Sequence, residues 1–155
     1  MERSSKEVGI ALIGSGRMGS FHGETVSRRL RGTRLVAVAD PAPGAAATLA
    51  ESLGADRAYP DAAQVWADPE VDAVVIAAPA RFHAGLVVAA AEAGKHVFCE
   101  KPMAVDLPGA DRAVDAARAA GVVLQVGFNR RFAPDWQAAR ALLDAGTIGT
   151  PRLLR

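Results

Sequence analysis

The chain has 155 residues, half of them apolar and 23% charged, which is the make-up of one globular domain with a proper core. Eighteen basic residues against 17 acidic ones leave a net charge of +1, so the charge balance recruits neither nucleic acid nor an acidic membrane surface. The single cysteine, Cys99, excludes an internal disulfide framework and fits a reducing compartment. The polar opening MERSSKE has no apolar signal-peptide stretch, and no apolar run nears the ~20 residues of a membrane span, so a cytoplasmic protein is expected.

Residues 1–7 read as a polar tail. Val8–Ile13 is an apolar strand that stops at Gly14, and glycines follow at 14, 16 and 19. This G-x-G-x-x-G spacing serves dinucleotide binding: Gly14 for a sharp turn, Gly16 for close backbone approach to a pyrophosphate, Gly19 for tight helix–sheet packing. The following helix start offers free N–H groups to phosphates. A Gly-rich turn after a strand also arises for structural reasons alone. Ser15, inside the loop, has no histidine at a useful spacing and reads as a phosphate contact rather than a nucleophile.

Helical spacing covers Arg17–Leu30, with Met18, Phe21, Thr25 and Val26 on one face. A second strand, Arg34–Ala39, ends at Asp40, 26 positions after Gly14. An acid there accepts hydrogen bonds from the adenosine ribose and repels a 2′-phosphate, favouring NAD over NADP. The plain alternative is an Asp that opens the Asp40-Pro41 turn. Arg17 would attract a phosphate and works against the NAD preference.

Further strands are read at Arg57–Tyr59, Ala73–Ala78, His96–Cys99 and Val122–Val126. Runs such as Val74-Val75-Ile76 suit a parallel sheet covered on both faces. Asp61 with Gln64 resembles a capping box, and Asp106 is a candidate N-cap with Pro108 in the first turn. Ala110, Ala113, Val114 and Ala117 make a narrow stripe in the helix Asp106–Ala119. Gly54, Gly94, Gly121 and Gly146 each follow a helical pattern, where a terminating glycine belongs. The alternation predicts an α/β fold: a doubly wound, Rossmann-type parallel sheet with helices on both faces. Residues 8–130 form that domain. Residues 131–155 read as a connecting helix, Pro134–Gly146, and the first residues of a further domain, with Leu153-Leu154 beginning an apolar segment.

In such a sheet, ligands bind beyond the carboxyl ends of the strands. Pro79, Glu100-Lys101-Pro102 and Gly127-Phe128-Asn129-Arg130 all fall there. A lysine at a strand end could hydrogen-bond a substrate hydroxyl and stabilise a developing alkoxide. Equally, Glu100 and Lys101 could be a surface pair before a turn proline. His22 and His83 lie on helices facing the crevice, where packed or capping histidines are common, and His96 reads as structural. Three scattered histidines and one cysteine make no metal-ligand cluster. Cys99 reads as an inert core thiol.

Together the strings GSGRMG (14–19), VAVAD (36–40), DAVVIAAP (72–79) with His83, AGKHVFCEKPMA (93–104) and GFNRRF (127–132) resemble the N-terminal NAD(P)-binding domain of the Gfo/Idh/MocA family. That family includes glucose–fructose oxidoreductase and inositol dehydrogenase. The resemblance implies an oxidoreductase acting on a CH–OH group of a sugar or polyol. Gly14, Gly16, Arg17, Met18 and Gly19 would form the cofactor loop, and Asp40 would hold the adenosine ribose. Pro79 and His83 would line the crevice, with Glu100 toward the nicotinamide. Lys101 would be the active-site lysine touching cofactor and substrate, with Asn129 and Arg130 bordering the substrate pocket.

Two departures stand out. Ala80 follows Pro79 where family members often carry Asn or Thr, and the chain stops where the family's second α/β domain begins. In the family, that domain brings most of the substrate contacts, the Asp and His assigned to proton transfer, and much of the oligomer interface. A complementing C-terminal domain or homo-oligomer is therefore the expected partner. A stand-alone NAD(H)-binding module is the second reading. A Rossmann-like methyltransferase, which Asp40 would also suit, fits the Glu100-Lys101-Pro102 string poorly.

Overall fold

A computed structural model describes residues 7–152. Six parallel strands run in the order β3-β2-β1-β4-β5-β6, with β1 (Val8–Ile13), β2 (Thr33–Ala39), β3 (Arg57–Tyr59), β4 (Ala73–Ile76), β5 (His96–Cys99) and β6 (Leu124–Val126). Five helices connect them, α1 (Arg17–Arg28), α2 (Ala45–Leu53), α3 (Ala62–Trp66), α4 (His83–Glu92) and α5 (Leu107–Ala120), and α6 (Pro134–Asp144) follows β6. This is the doubly wound, Rossmann-type order, and its reversal point lies between β1 and β4. No helix among the described residues is long and apolar enough to cross a membrane.

The sheet is buried on both sides, as the continuous apolar runs require. On one face Ala11, Ile13, Val74 and Ile76 pack with Val65, Val87, Ala90 and Ala113 from α3, α4 and α5. On the other, Ile10, Leu12, Leu35 and Val38 pack with Val26, Ala46 and Ala50 from α1 and α2. The β1–β2 register slips by one residue between Ile10 and Ala11, so both Val36 and Ala37 turn to the first face. An extra residue in one strand restores the alternation with the opposite parity.

Helix α1 packs differently from the expected stripe. Its buried residues are Gly19, Gly23 and Val26, while Met18 and Phe21 are exposed. The helix lies so close to the sheet that a Cβ on Gly19 would overlap the Gly14 carbonyl oxygen, and one on Gly23 would crowd Leu53 and Leu12. Large side chains therefore cannot form the contact face.

Helix ends follow their capping chemistry. The Asp106 carboxylate accepts the Gly109 N–H at 2.7 Å, and Pro108 sits in the first turn. Asp61 caps α3 through the Ala63 N–H at 2.9 Å, the second helical position rather than the third of a capping box. Gly54, Gly94, Gly121 and Gly146 all have positive φ after their helices. Beyond Gly121, the Val122 N–H closes α5 by donating to the Ala117 carbonyl, so β6 starts at Leu124 rather than Val122. Likewise the Arg29 and Leu30 N–H groups both donate to the Thr25 carbonyl, ending α1 at Arg28. Strand β4 stops at Ile76, and the chain turns away through Ala77, Ala78 and Pro79 beside the glycine loop. Helix α6 buries none of its residues, and the expected segment at Leu153-Leu154 lies outside the described residues.

Candidate active site

Gly14 makes the sharp exit from β1 that its position demands. Its φ is +98°, and its N–H donates to the Ala39 carbonyl at 2.8 Å, tying the turn to the end of β2. A side chain there would press on the Ala77 and Ala78 backbone. Gly16 faces open space within 4 Å of where a Cβ would stand. Helix α1 begins there with no side-chain cap and no acid in its first turn. Its leading N–H groups are thus available to an anion.

A cavity of about 1070 Å³ opens at this point, walled by Gly14, Gly16, Arg17, Met18, Asp40 and Pro79, among others. Its size and convergent polar groups suit a large organic ligand. Asp40 is fixed at its edge. One carboxylate oxygen, Oδ2, accepts both the Ser15 N–H and the Ser15 hydroxyl at 2.7 Å each, while Oδ1 accepts the Ala42 N–H at 2.8 Å. Partial burial opposes the charge, but the Ser15 N–H, the Ala42 N–H and the Ser15 hydroxyl outweigh it and hold the pKa below the usual carboxylate value. Open backbone at Gly16, an uncapped helix start and an ionised acid one strand away together fit a dinucleotide: donors for the pyrophosphate and an acceptor for the ribose.

The remaining predicted residues separate into layers. Gly19 is packed under the loop, and Ser15 is turned to Asp40. His83 is buried, 2% exposed, and does not wall the cavity. Its Nδ1 lies 2.6 Å from the Pro102 carbonyl oxygen and its Nε2 2.6 Å from that of Ala78. It therefore bridges the β4 and β5 loops. Glu100 lies 2.9 Å from His22 Nε2 through Oε1, and its Oε2 accepts the Lys101 N–H at 3.1 Å.

Lys101 is exposed, and the Lys101-Pro102 peptide is cis. Lys101, Asn129 and Arg130 line a second cavity of about 830 Å³, together with Trp136, Arg140 and Asp144 of α6. Among the described residues no hydrogen bond or ion pair engages the Lys101 ammonium, and no group of three or more His, Cys, Asp or Glu is placed to hold a metal ion.

Sequence reasoning missed several members. Arg81 and Phe82 stand in the cofactor-side wall, with the Arg81 guanidinium 4.4 Å from the Phe82 ring centre. The Arg130 guanidinium stacks over Trp136 at 4.6 Å. The position of Arg81 and Phe82 just after Pro79 was the available signal. Arg130 was expected at the site, and Trp136 beneath it was the residue missed. His22 as the partner of Glu100 had none, because 78 residues separate the two.

Cys99 matches its inert reading. It is fully buried, and burial first and the neighbouring Glu100 charge second push its thiol up to about 12. Iodoacetamide at pH 8 should leave the folded chain unmodified by mass spectrometry and alkylate it only in denaturant. Rapid labelling without denaturant would contradict this burial.

The oxidoreductase family model with an NAD-binding Rossmann fold (Gfo/Idh/MocA) matches residues 8–128. The chain is 39% identical to the scyllo-inositol 2-dehydrogenase (NAD(+)) of Bacillus subtilis over 94% of its own length and 42% of that protein. It is 38% identical to the myo-inositol 2-dehydrogenase of Thermotoga maritima, over 94% of this chain and 43% of that one. The structure superposes with a TM-score of 0.87 on scyllo-inositol dehydrogenase from Lactobacillus casei with bound NAD(H) and scyllo-inositol, at 31% identity over 93% of this chain and 43% of that one. The chain thus spans less than half the length of the relatives it matches. With the glycine turn, the acid closing β2 and the strand order in agreement, the chain belongs to the Gfo/Idh/MocA oxidoreductase family and forms its NAD-binding Rossmann domain.

Proposed function

We propose that this chain is the cofactor-binding half of a dehydrogenase that oxidises a CH–OH group of a polyol or sugar, with NAD preferred over NADP. The observation that carries this reading is Asp40, held ionised at the rim of the cavity that Gly14 and Gly16 open. Bound NAD supplies the hydride acceptor. The chain's own residues then divide the work. The start of α1 and Gly16 take the pyrophosphate, and Asp40 accepts from a ribose hydroxyl. The exposed Lys101 ammonium hydrogen-bonds the substrate oxygen and stabilises negative charge on it, with Asn129 and Arg130 bordering the same cavity.

The inositol substrates named for the relatives suggest a cyclic polyol. The substrate side of this chain is open, since Lys101, Asn129 and Arg130 are all exposed. A second α/β unit covering that side, preceded by residues 131–155 as connector, would complete the catalytic site. The chain by itself should bind NAD and turn over little.

Calorimetric titration with NAD tests the reading. One saturable site is expected, and Asp40→Ala should weaken it about tenfold or more, the loss of a charge-assisted hydrogen bond of ~1.5–3 kcal/mol. Because the folded carboxylate titrates below its ordinary value of 3.8, its contribution is present above that pH and lost only as pH falls through the lowered pKa. Affinity should therefore be level from pH 7 to pH 5. Absence of heat on NAD addition, or an Asp40→Ala chain that binds as well as the parent, overturns the proposal.

A further inference from the structure

The Ser15 donors do not point where a phosphate-binding role would need them. A hydroxyl has one proton to give. In Ser15 that proton goes to Asp40 Oδ2 at 2.7 Å, and the backbone N–H of the same residue goes to the same oxygen at 2.7 Å. The Ala42 N–H occupies Oδ1 at 2.8 Å. A carboxylate offers about four lone-pair directions, so three donors leave one, and it belongs to Oδ1. The group best suited to it is a neutral hydroxyl that donates.

The same cavity is lined by two cations, Arg17 and Arg81, either of which attracts a phosphate. Left to them, the cavity would favour the 2′-phosphorylated cofactor. Two acids in the same lining oppose them, Asp40 and Asp61. Asp61 is the cap of α3, and the effect of Asp40 on the ribose depends on its carboxylate being held in one place. Two of its three anchors come from Ser15.

We propose that Ser15 is a positioning residue for cofactor choice: its hydroxyl locks Asp40 with one acceptor turned to a ribose hydroxyl, and so excludes a 2′-phosphate. The proposal rests on the NAD reading of the cavity. Without the hydroxyl, the carboxylate keeps two backbone donors but can rotate. It then loses its fixed aim at the ribose and yields to Arg17 and Arg81. The low pKa of Asp40 agrees with this, since the Ser15 hydroxyl is among its causes.

The test is calorimetric titration of the full chain with NADH and with NADPH, for the parent, Ser15→Ala and Ser15→Thr, with thermal melting to confirm that each variant is folded. Ser15→Ala should lower the preference for NADH over NADPH about fivefold or more, and Ser15→Thr, which keeps the hydroxyl, should restore it. If Ser15→Ala weakens both cofactors equally, Ser15 acts on the shared pyrophosphate and the proposal is wrong. An unchanged preference in a folded Ser15→Ala chain also overturns it. Should Ser15→Ala fail to fold, Ser15→Cys, a near-isostere with a weak donor, must show the same loss of preference for the proposal to stand. A parent chain that binds neither cofactor instead overturns the NAD reading itself.

Discussion

Replacing Gly14 by alanine should destabilise the chain by about 2–4 kcal/mol and abolish measurable NAD binding. Two separate costs combine. The residue sits at φ +98°, outside the region that L side chains adopt readily. A Cβ would also stand 2.8 Å from the Ala77 carbonyl oxygen and 2.9 Å from the Ala78 nitrogen. Both atoms are backbone, so no side-chain rotation relieves the contact. Either β4's exit or the glycine loop must move, and the loop carries the cofactor donors. Thermal melting should fall by about 5–15 °C for a domain of this size. Gly16→Ala is the control, since nothing lies within 4 Å of its Cβ position. It should melt within a few degrees of the parent yet bind NAD more weakly, because the added methyl occupies the approach to the pyrophosphate. Equal melting of Gly14→Ala and the parent would remove the conformational argument.

His83→Ala should cost about 3 kcal/mol in urea unfolding, although residue 83 does not wall the cofactor cavity. The imidazole is 2% exposed and reaches the Ala78 and Pro102 carbonyls at 2.6 Å each. Those carbonyls precede Pro79 and follow Lys101 in the chain, so one side chain ties together the loops after β4 and β5. A neutral imidazole of either tautomer carries one N–H, so truncation leaves one of the two carbonyl oxygens short of a donor, and a void where the ring was. His83→Phe fills the volume without supplying a donor. It should recover part of the loss, which separates packing from hydrogen bonding. A stability change under ~1 kcal/mol for His83→Ala would mean that the bridge carries no weight.

The expectation that His83 lines the crevice and the observation that it braces the loops behind it illustrate what a sequence can convey. Its position four residues after Pro79 was legible. Whether its nitrogens face a ligand or the backbone depends on Pro102, 19 residues away, and only the fold brings that carbonyl within reach. The same holds for Ser15, read as a phosphate contact until Asp40, 25 residues on, took both its donors. Lys95 shows it away from the site. Its ammonium is buried and donates to the Asp68 and Val71 carbonyls at 2.8 Å each, a bond set that no local pattern announces.

What the sequence determined by itself was set by local physics. Continuous apolar runs specified strands covered on both faces, helix-terminating glycines and the Asp106 cap marked the boundaries, and the spacing of Gly14, Gly16 and Gly19 placed a turn, an open approach and a close packing contact. Each depends on neighbours within a few residues, so each is written where it acts. Tertiary structure decided which strand lies beside which, why α1 buries glycines rather than Met18 and Phe21, and where the polar side chains spend their hydrogen bonds. Those outcomes come from groups distant in the chain competing for the same buried donors, acceptors and space. A buried polar group takes whichever partner the folded backbone supplies, because leaving it unpaired costs ~1–3 kcal/mol.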